Sequence, residues 1–308
     1  MPKLPKARAV GRSREVRSIA APVMDDPSCA ETVEFLTRIT DELSRGPLNL
    51  PCFPDIVPRI RKAIGDPKST SDDLVRIAGT EPRLSARLLQ TANSAMFNPG
   101  GLPLSNLRQA VTRLGHHLVQ SVTMVFAVQQ MKSESSLRPV VEPLGELWAK
   151  SVAVASICQV LAQRLRVPAD KVFLTGLLHG IGCFYVMVRA ASAPSGVAYE
   201  HLRRELVAEW HPSIGRAVLE KWGFEAVMCE AVGSQHEYDR KSKRAADITD
   251  VVIASVALAD ALLEQQGDLS RCASINAFAS LRLSRDDLVA ILRHTEHTLG
   301  SLRDALGC

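Results

Sequence analysis

The sequence predicts an all-α protein made of two packed helical subdomains. Three observations carry that expectation. Apolar residues recur at spacings of three and four in segment after segment, the period of an amphipathic helix. Nowhere does a sustained period-two alternation mark a strand. Aromatics make up only 5% of the 308 residues, so a chain that is 46% hydrophobic builds its core mainly from Leu, Val, Ile and Ala.

Residues 1–27 are rich in Pro, Arg and Lys without a hydrophobic period and read as a flexible basic tail. Lys3, Lys6, Arg8, Arg12, Arg14 and Arg17 stand there against Glu15, so residues 1–22 sum to +5 and the rest of the chain to −1, for a total of +4. The near-neutral remainder does not look like a nucleic-acid platform. An N-terminal helix over 28–46 places Val33, Leu36, Ile39 and Leu43 on one face, and Gly46-Pro47 ends it.

The first lobe, 47–131, begins with the proline-stiffened Leu50-Pro51-Cys52-Phe53-Pro54 and a helix carrying Ile56, Val57, Ile60 and Ile64. Thr70-Ser71-Asp72-Asp73 has the hydroxyl-to-carboxylate spacing of a capping box and opens a short helix to Ala78. Thr80-Glu81-Pro82 opens another, with Leu84, Leu88, Leu89 and Ala92 in one stripe, ending at Asn93-Ser94. After the loop Asn98-Pro99-Gly100-Gly101, Ser105 starts a helix whose stripe runs through Gly115 to Phe126.

Residues 132–143, rich in Ser, Glu and Pro, read as an inter-lobe linker. The second lobe, 144–265, starts with a long helix from Leu144 to Leu165, then one from Pro168 leading into His179. A small-residue loop is expected at 190–198, and helices at 199–209, 212–222, 224–236 and 247–265. A C-terminal helical extension, 266–308, carries a second capping box at Ser284-Arg285-Asp286-Asp287.

Several classes are disfavoured. The seven cysteines are scattered and never form a Cys-x-x-Cys pair, which argues against a disulfide framework or zinc knuckle and for reduced thiols in the cytoplasm. The N-terminus lacks the apolar core of a secretory signal. The longest apolar stretch, 251–263, contains Asp260 and is too short to span a bilayer. No phosphate-cradling glycine loop is present. His116-His117 are helix neighbours about 100° apart and make a poor joint ligand set. The run Arg240-Lys241-Ser242-Lys243-Arg244 reads as a solvated basic loop.

The segments Leu50–Pro54, Glu81–Ala95, Ser105–Gly115, Leu147–Ser151, Phe173–Gly182, His211–Gly215, Gln235-His236 and Ala259-Asp260 together resemble the HDOD domain, over roughly 47–265 and in order. HDOD domains are signalling relatives of the HD phosphohydrolases. The resemblance implies a helical first lobe, an HD-like helical bundle in the second, bacterial signalling roles and usually no enzyme activity.

Active HD enzymes hold divalent cations with a helix-borne His, a His-Asp pair and a distant Asp. Carried over, those positions are Lys150, His179-Gly180 and Asp260, with His211 and Gln235-His236 matching the further histidines of some members. Three places hold residues that do not match: Lys150, Gly180 and Gln235. An ammonium repels a divalent cation by ~4 kcal/mol per unit-charge pair at 4 Å and an effective dielectric of 20. Glycine supplies no ligand at all. The expectation is therefore no bound metal, no cofactor and no catalytic residue, with Lys150 pairing to Asp260 in place of the ion. His179 reads as a buried helix-end histidine bonded to a carbonyl, His211 as a residue at a helix start, and His236 as one at a helix end. Asp260, in an apolar run, reads as a buried carboxylate in need of a partner.

The function expected is a non-catalytic regulator working through contact with signalling proteins of unspecified identity. Its polar contact surface is placed at Asn93, Ser94 and Arg108 in the first lobe. A residual metal-dependent phosphohydrolase using His179, His211, His236 and Asp260 is one alternative. A nucleic-acid-associated regulator acting through the basic tail is the other, and it would show steep salt dependence.

Overall fold

A computed structural model describes residues 27–45, 54–132, 134–165, 167–192, 202, 204–241, 245–263 and 269–306. The tail before residue 27, Leu50 to Phe53, most of the loop expected at 190–198 and Ser242-Lys243-Arg244 lie outside the described residues. Among the described residues the regular structure is all α-helix and short 3-10 turns, with no strand. The helices are α1 (Pro27–Arg45), α2 (Ile56–Gly65), α3 (Ser71–Ala78), α4 (Pro82–Asn93), α5 (Leu107–Lys132), α6 (Val141–Leu165), α7 (Ala169–Leu177), α8 (Ile181–Ala191), α9 (Arg204–Lys221), α10 (Ala226–Gly233), α11 (Ile248–Leu263), α12 (Asn276–Ser280) and α13 (Arg285–Leu306).

Local chemistry sets several boundaries. At α3, Thr70 N–H donates to Asp73 Oδ2 at 3.0 Å while Asp73 N–H donates back to Thr70 Oγ1 at 3.4 Å. Ser284 and Asp287 repeat that reciprocal cap at α13, at 2.9 and 3.2 Å. α5 is kinked at Gly115, whose φ of 69° lies in the left-handed region open to glycine. The kink leaves Val111 and Leu114 before it, and Leu118 and Val122 after it, all buried.

Two expectations change here. The break expected between residues 209 and 212 is absent: α9 runs through Pro212 as one helix. Proline removes a backbone donor and crowds the preceding turn, but Pro212 is itself buried, and Val207, Ile214 and Val218 bury on the same helix. Packing outweighs the local cost, and His211 sits mid-helix rather than at a helix start. The stretch expected as the inter-lobe linker carries structure of its own where it is described. Ser135–Val140 form a 3-10 turn whose Leu137 and Val140 are fully buried, and α6 follows without a gap.

The core does not stop at that junction. One hydrophobic cluster runs from Leu36 and Ile39 of α1 through Leu88 of α4 and Val122 of α5 to Phe184 of α8 and Val218 of α9. A second gathers α6, α11, α12 and α13 around Ile157, Val252 and Phe278. α1 packs on α9, and its Glu42 forms an ion pair with Arg189 of α8. α13 packs along α6 and reaches α4.

Two stretches, Ser135–Gln163 and Ala169–Ala191, are long and apolar enough to cross a membrane by length and composition. Their apolar windows are 56% and 89% buried within the fold, and the second is interrupted by a turn at 178–180. They serve as core helices here. The described cysteines form no disulfide, and burial pushes the Cys158 thiol up to about 12 and the Cys229 thiol up to about 11, so both stay protonated at neutral pH.

Candidate functional site

An open cleft of about 790 Å³ forms where α6, the α7–α8 turn, α9 and the segment after α10 meet. Each contributes residues singled out in the sequence. α6 supplies Lys150, the turn supplies His179 and Gly180, α9 supplies His211, and the end of α10 leads to Gln235 and His236. Asp260 joins from α11 through Lys150, whose Nζ lies 2.5 Å from Asp260 Oδ1. The structure therefore brings all seven positions to one place.

Close helix approach fixes the cleft wall. A Cβ at Gly182 would lie 1.9 Å from the His211 carbonyl oxygen and 2.6 Å from the Gly215 nitrogen. Only glycine lets α8 cross α9 at that distance, and the crossing holds the His179 turn against His211. Gly180 is different. Its φ of −87° suits any residue, but a Cβ would meet Leu147 Cδ1 at 2.7 Å. A leucine methyl fills the space where a side chain at 180 would start.

His179 is 2% exposed, and its Nδ1 lies 2.8 Å from the Gly176 carbonyl oxygen. That acceptor assigns the proton to Nδ1 and leaves Nε2 as a lone pair. Burial, followed by the Lys150 charge, pushes the His179 pKa down to about 3. Burial, followed by the nearby His236 and His179, does the same to His211. His236 is lowered too, by burial and then by Lys150, with Asp260 opposing. The His211 and His236 rings meet edge-on, 5.3 Å between centroids at 80°. At neutral pH the site thus holds three uncharged imidazoles beside one ammonium–carboxylate pair.

Gln235 is fully buried. Its Nε2 donates to the His179 carbonyl at 3.0 Å and to the Val232 carbonyl at 2.8 Å. It ties α10 to the His179 turn. Its Oε1, like His211 Nδ1, is buried without a hydrogen-bond partner. Among the described residues no three His, Cys, Asp or Glu side chains are grouped so as to hold a metal ion.

Asp260 is not the buried carboxylate its apolar neighbours suggested. Its side chain is 38% exposed, because it sits near the end of α11 at the cleft rim. The buried one is Asp250, at 0%, in the first turn of the same helix. Arg240 Nη1 reaches it at 2.8 Å and Arg240 Nη2 reaches Asp247 at 2.7 Å. Arg240 therefore belongs to a structural knot and not to a solvated basic loop. The sequence signal was the Asp-x-x-Asp spacing of 247 and 250 at a helix start, a few residues after an arginine.

Two of the three expected contact residues bond within their own loop. Asn93 Nδ2 donates to the Leu104 carbonyl at 2.9 Å, and Leu104 N–H donates to Asn93 Oδ1 at 2.7 Å. Ser94 Oγ donates to the Thr91 carbonyl at 2.7 Å. Both side chains brace their own loop. Arg108 forms an ion pair with Asp72 and remains largely exposed.

Residues 50–238 match the HDOD domain, and this chain belongs to that family. It is similar to a protein from Shewanella amazonensis SB2B, provisionally named a metal-dependent phosphohydrolase: 27% identity over 89% of this chain and 99% of that one, with a TM-score of 0.67. An HDOD domain protein of unknown function from Geobacter sulfurreducens shares the fold, at 24% identity and a TM-score of 0.57, over 89% of this chain and 98% of that one. So does a provisionally named signal transduction protein from Marinobacter aquaeolei VT8, at 19% identity and a TM-score of 0.57, over 92% of this chain and 66% of that one. No curated protein matches.

Proposed function

We propose that this HDOD protein is a non-catalytic regulatory module of the cytoplasm that works through contact with other signalling proteins. One observation carries the reading: the Lys150 ammonium occupies the cleft, paired at 2.5 Å with the carboxylate that HD enzymes would give to a metal. A divalent cation entering there meets a like charge and finds Asp260 already engaged. Gly180 adds no carboxylate. The residues present do not fit a metal centre. The buried, uncharged histidines and Gln235 then serve to fasten the α7–α8 turn to α9 and α10.

The name of the Shewanella relative favours a second reading, a residual metal-dependent phosphohydrolase. A hydrolysis assay with bis-p-nitrophenyl phosphate and added Mn²⁺ separates the two. The regulatory reading expects the same background rate for the native protein and for His179→Ala. Mn²⁺-dependent turnover that His179→Ala abolishes would make the protein an enzyme.

A further inference from the structure

The connection between α4 and α5 holds one apolar side chain out in water on a braced loop. Leu102 is 88% exposed, against 42% for Leu263 and 38% for Tyr238, the other large apolar residues exposed among the described residues. The loop is held on both sides of it. Asn93 grips the Leu104 backbone through both its amide atoms. Asn98 Nδ2 donates to the Leu102 carbonyl at 3.0 Å, and Arg113 Nη1 donates to Asn98 Oδ1 at 2.6 Å. Gly100 has a φ of 67°, in the left-handed region that favours glycine, and a Cβ at Gly101 would fall 1.8 Å from Asn98 Oδ1 and disturb that brace. A leucine left in water forgoes the free energy of burying its side chain. A loop fixed by this many bonds has no cheap way to fold it inward.

The loop lies beside two arginines, Arg113 bonded to Asn98 and Arg108 ion-paired with Asp72 yet still exposed, in a lobe with an excess of positive charge. Beside the loop lies an open groove of about 790 Å³ lined by Leu104, Arg108, Gln109, Thr112 and Arg113. Residues 54–132 carry ten Lys and Arg against five Asp and Glu, a net +5, whereas residues 133–308 sum to −2. The near-neutral charge of the whole chain beyond its tail hides this asymmetry between lobes.

We infer that the Leu102 loop and the Arg108 groove form the docking surface for an acidic face of a partner protein that carries an apolar pocket for Leu102. The inference rests on the protein-contact reading above and adds the Leu102 anchor and the chemistry of the partner. A preorganised apolar anchor inside a charged rim is how protein interfaces concentrate affinity at low ordering cost. The cationic rim selects a partner of opposite sign and speeds its approach. The loop has no aromatic side chain at its tip on which a base could stack. A single leucine supplies too little apolar area to hold a membrane surface.

The test places a photo-crosslinking amino acid at position 102 of the full chain in its native host, and separately at position 221, an exposed site on the other lobe. The expected result is a crosslink from 102 to another protein, at a peptide with a net negative charge. Affinity of that purified pair then falls at least about tenfold with Leu102→Asp. It also weakens with Arg108→Gln and with rising salt. Both variants should keep the native melting temperature, since both side chains lie on the surface. An unchanged affinity in Leu102→Asp overturns the inference. So do crosslinks from 102 only to nucleic acid, to lipid or to a second copy of this chain. Protein crosslinks from 221 alone overturn this surface and leave the protein-contact reading standing. No protein crosslink from either position counts against both.

Discussion

Two carboxylates sit ten residues apart on α11 and have opposite surroundings. Asp250 lies in the first turn, fully buried, where the helix dipole favours a negative charge and both Arg240 and the Asp247 backbone N–H donate to it. Asp260 lies near the other end, where the dipole opposes it, half-exposed at a cleft rim with Lys150 for a partner. The first pair belongs to the architecture. The second belongs to the cleft, where it pairs with Lys150 at the rim. A charged residue in an apolar helix therefore takes its meaning from the surface it faces, and the hydropathy of its neighbours does not reveal that surface.

Breaking each pair should expose the difference. Arg240→Ala leaves a buried carboxylate without its counter-charge, and a loss of about 3–5 kcal/mol in chemical denaturation is expected. A loss below about 1 kcal/mol would show that the knot is dispensable. Gly182→Ala drives a methyl into the His211 carbonyl and should cost about 1–3 kcal/mol or more by the same measurement. The equivalent change at Gly180 meets only a movable leucine methyl and should cost less.

Acid provides a third separation. His179 and His211 have folded pKa values of about 3, below the unfolded value of about 6.5. Between those limits the unfolded chain binds more protons, so stability falls as the pH drops from about 6.5 toward 3. Each histidine should contribute a loss of about 1–1.5 kcal/mol at pH 5.5 relative to pH 7. His211→Gln should reduce that pH dependence, and an identical slope in the variant would remove His211 as one of its sources. The smallest effect is expected at the rim. A double-mutant cycle with Lys150→Ala and Asp260→Ala should give a coupling of about 0.2–1 kcal/mol, because both side chains are about a third exposed.

The fold was legible because helix period and caps are local. Thr70 with Asp73 and Ser284 with Asp287 form the boxes their spacing announces, and Gly115 bends α5 without ending its apolar stripe. The cleft was legible in membership, since family spacing placed all seven residues at one site. Burial was harder to read. Pro212 argued for a helix break that tertiary packing overrides, which moved His211 from a helix start to a helix interior. Leu137 and Val140 were hidden in a stretch of turn-forming residues. Arg240 was grouped with its basic sequence neighbours, although its partners come from the first turn of the following helix. Leu102 left no mark in the sequence, because a single leucine in a Gly-Pro loop reads the same whether it points in or out.

The measurement that bears most directly on this account is the metal content of protein expressed with added Mn²⁺ and Fe²⁺, read by elemental mass spectrometry. A cleft held by Lys150 and Asp260 predicts substoichiometric metal that His179→Ala does not change. Lys150→His combined with Gly180→Asp should raise Mn²⁺ affinity by about a hundredfold or more, as the like charge leaves and a carboxylate arrives. Close to one metal per chain in the native protein, lost in His179→Ala, would contradict the account and return the cleft to the phosphohydrolases.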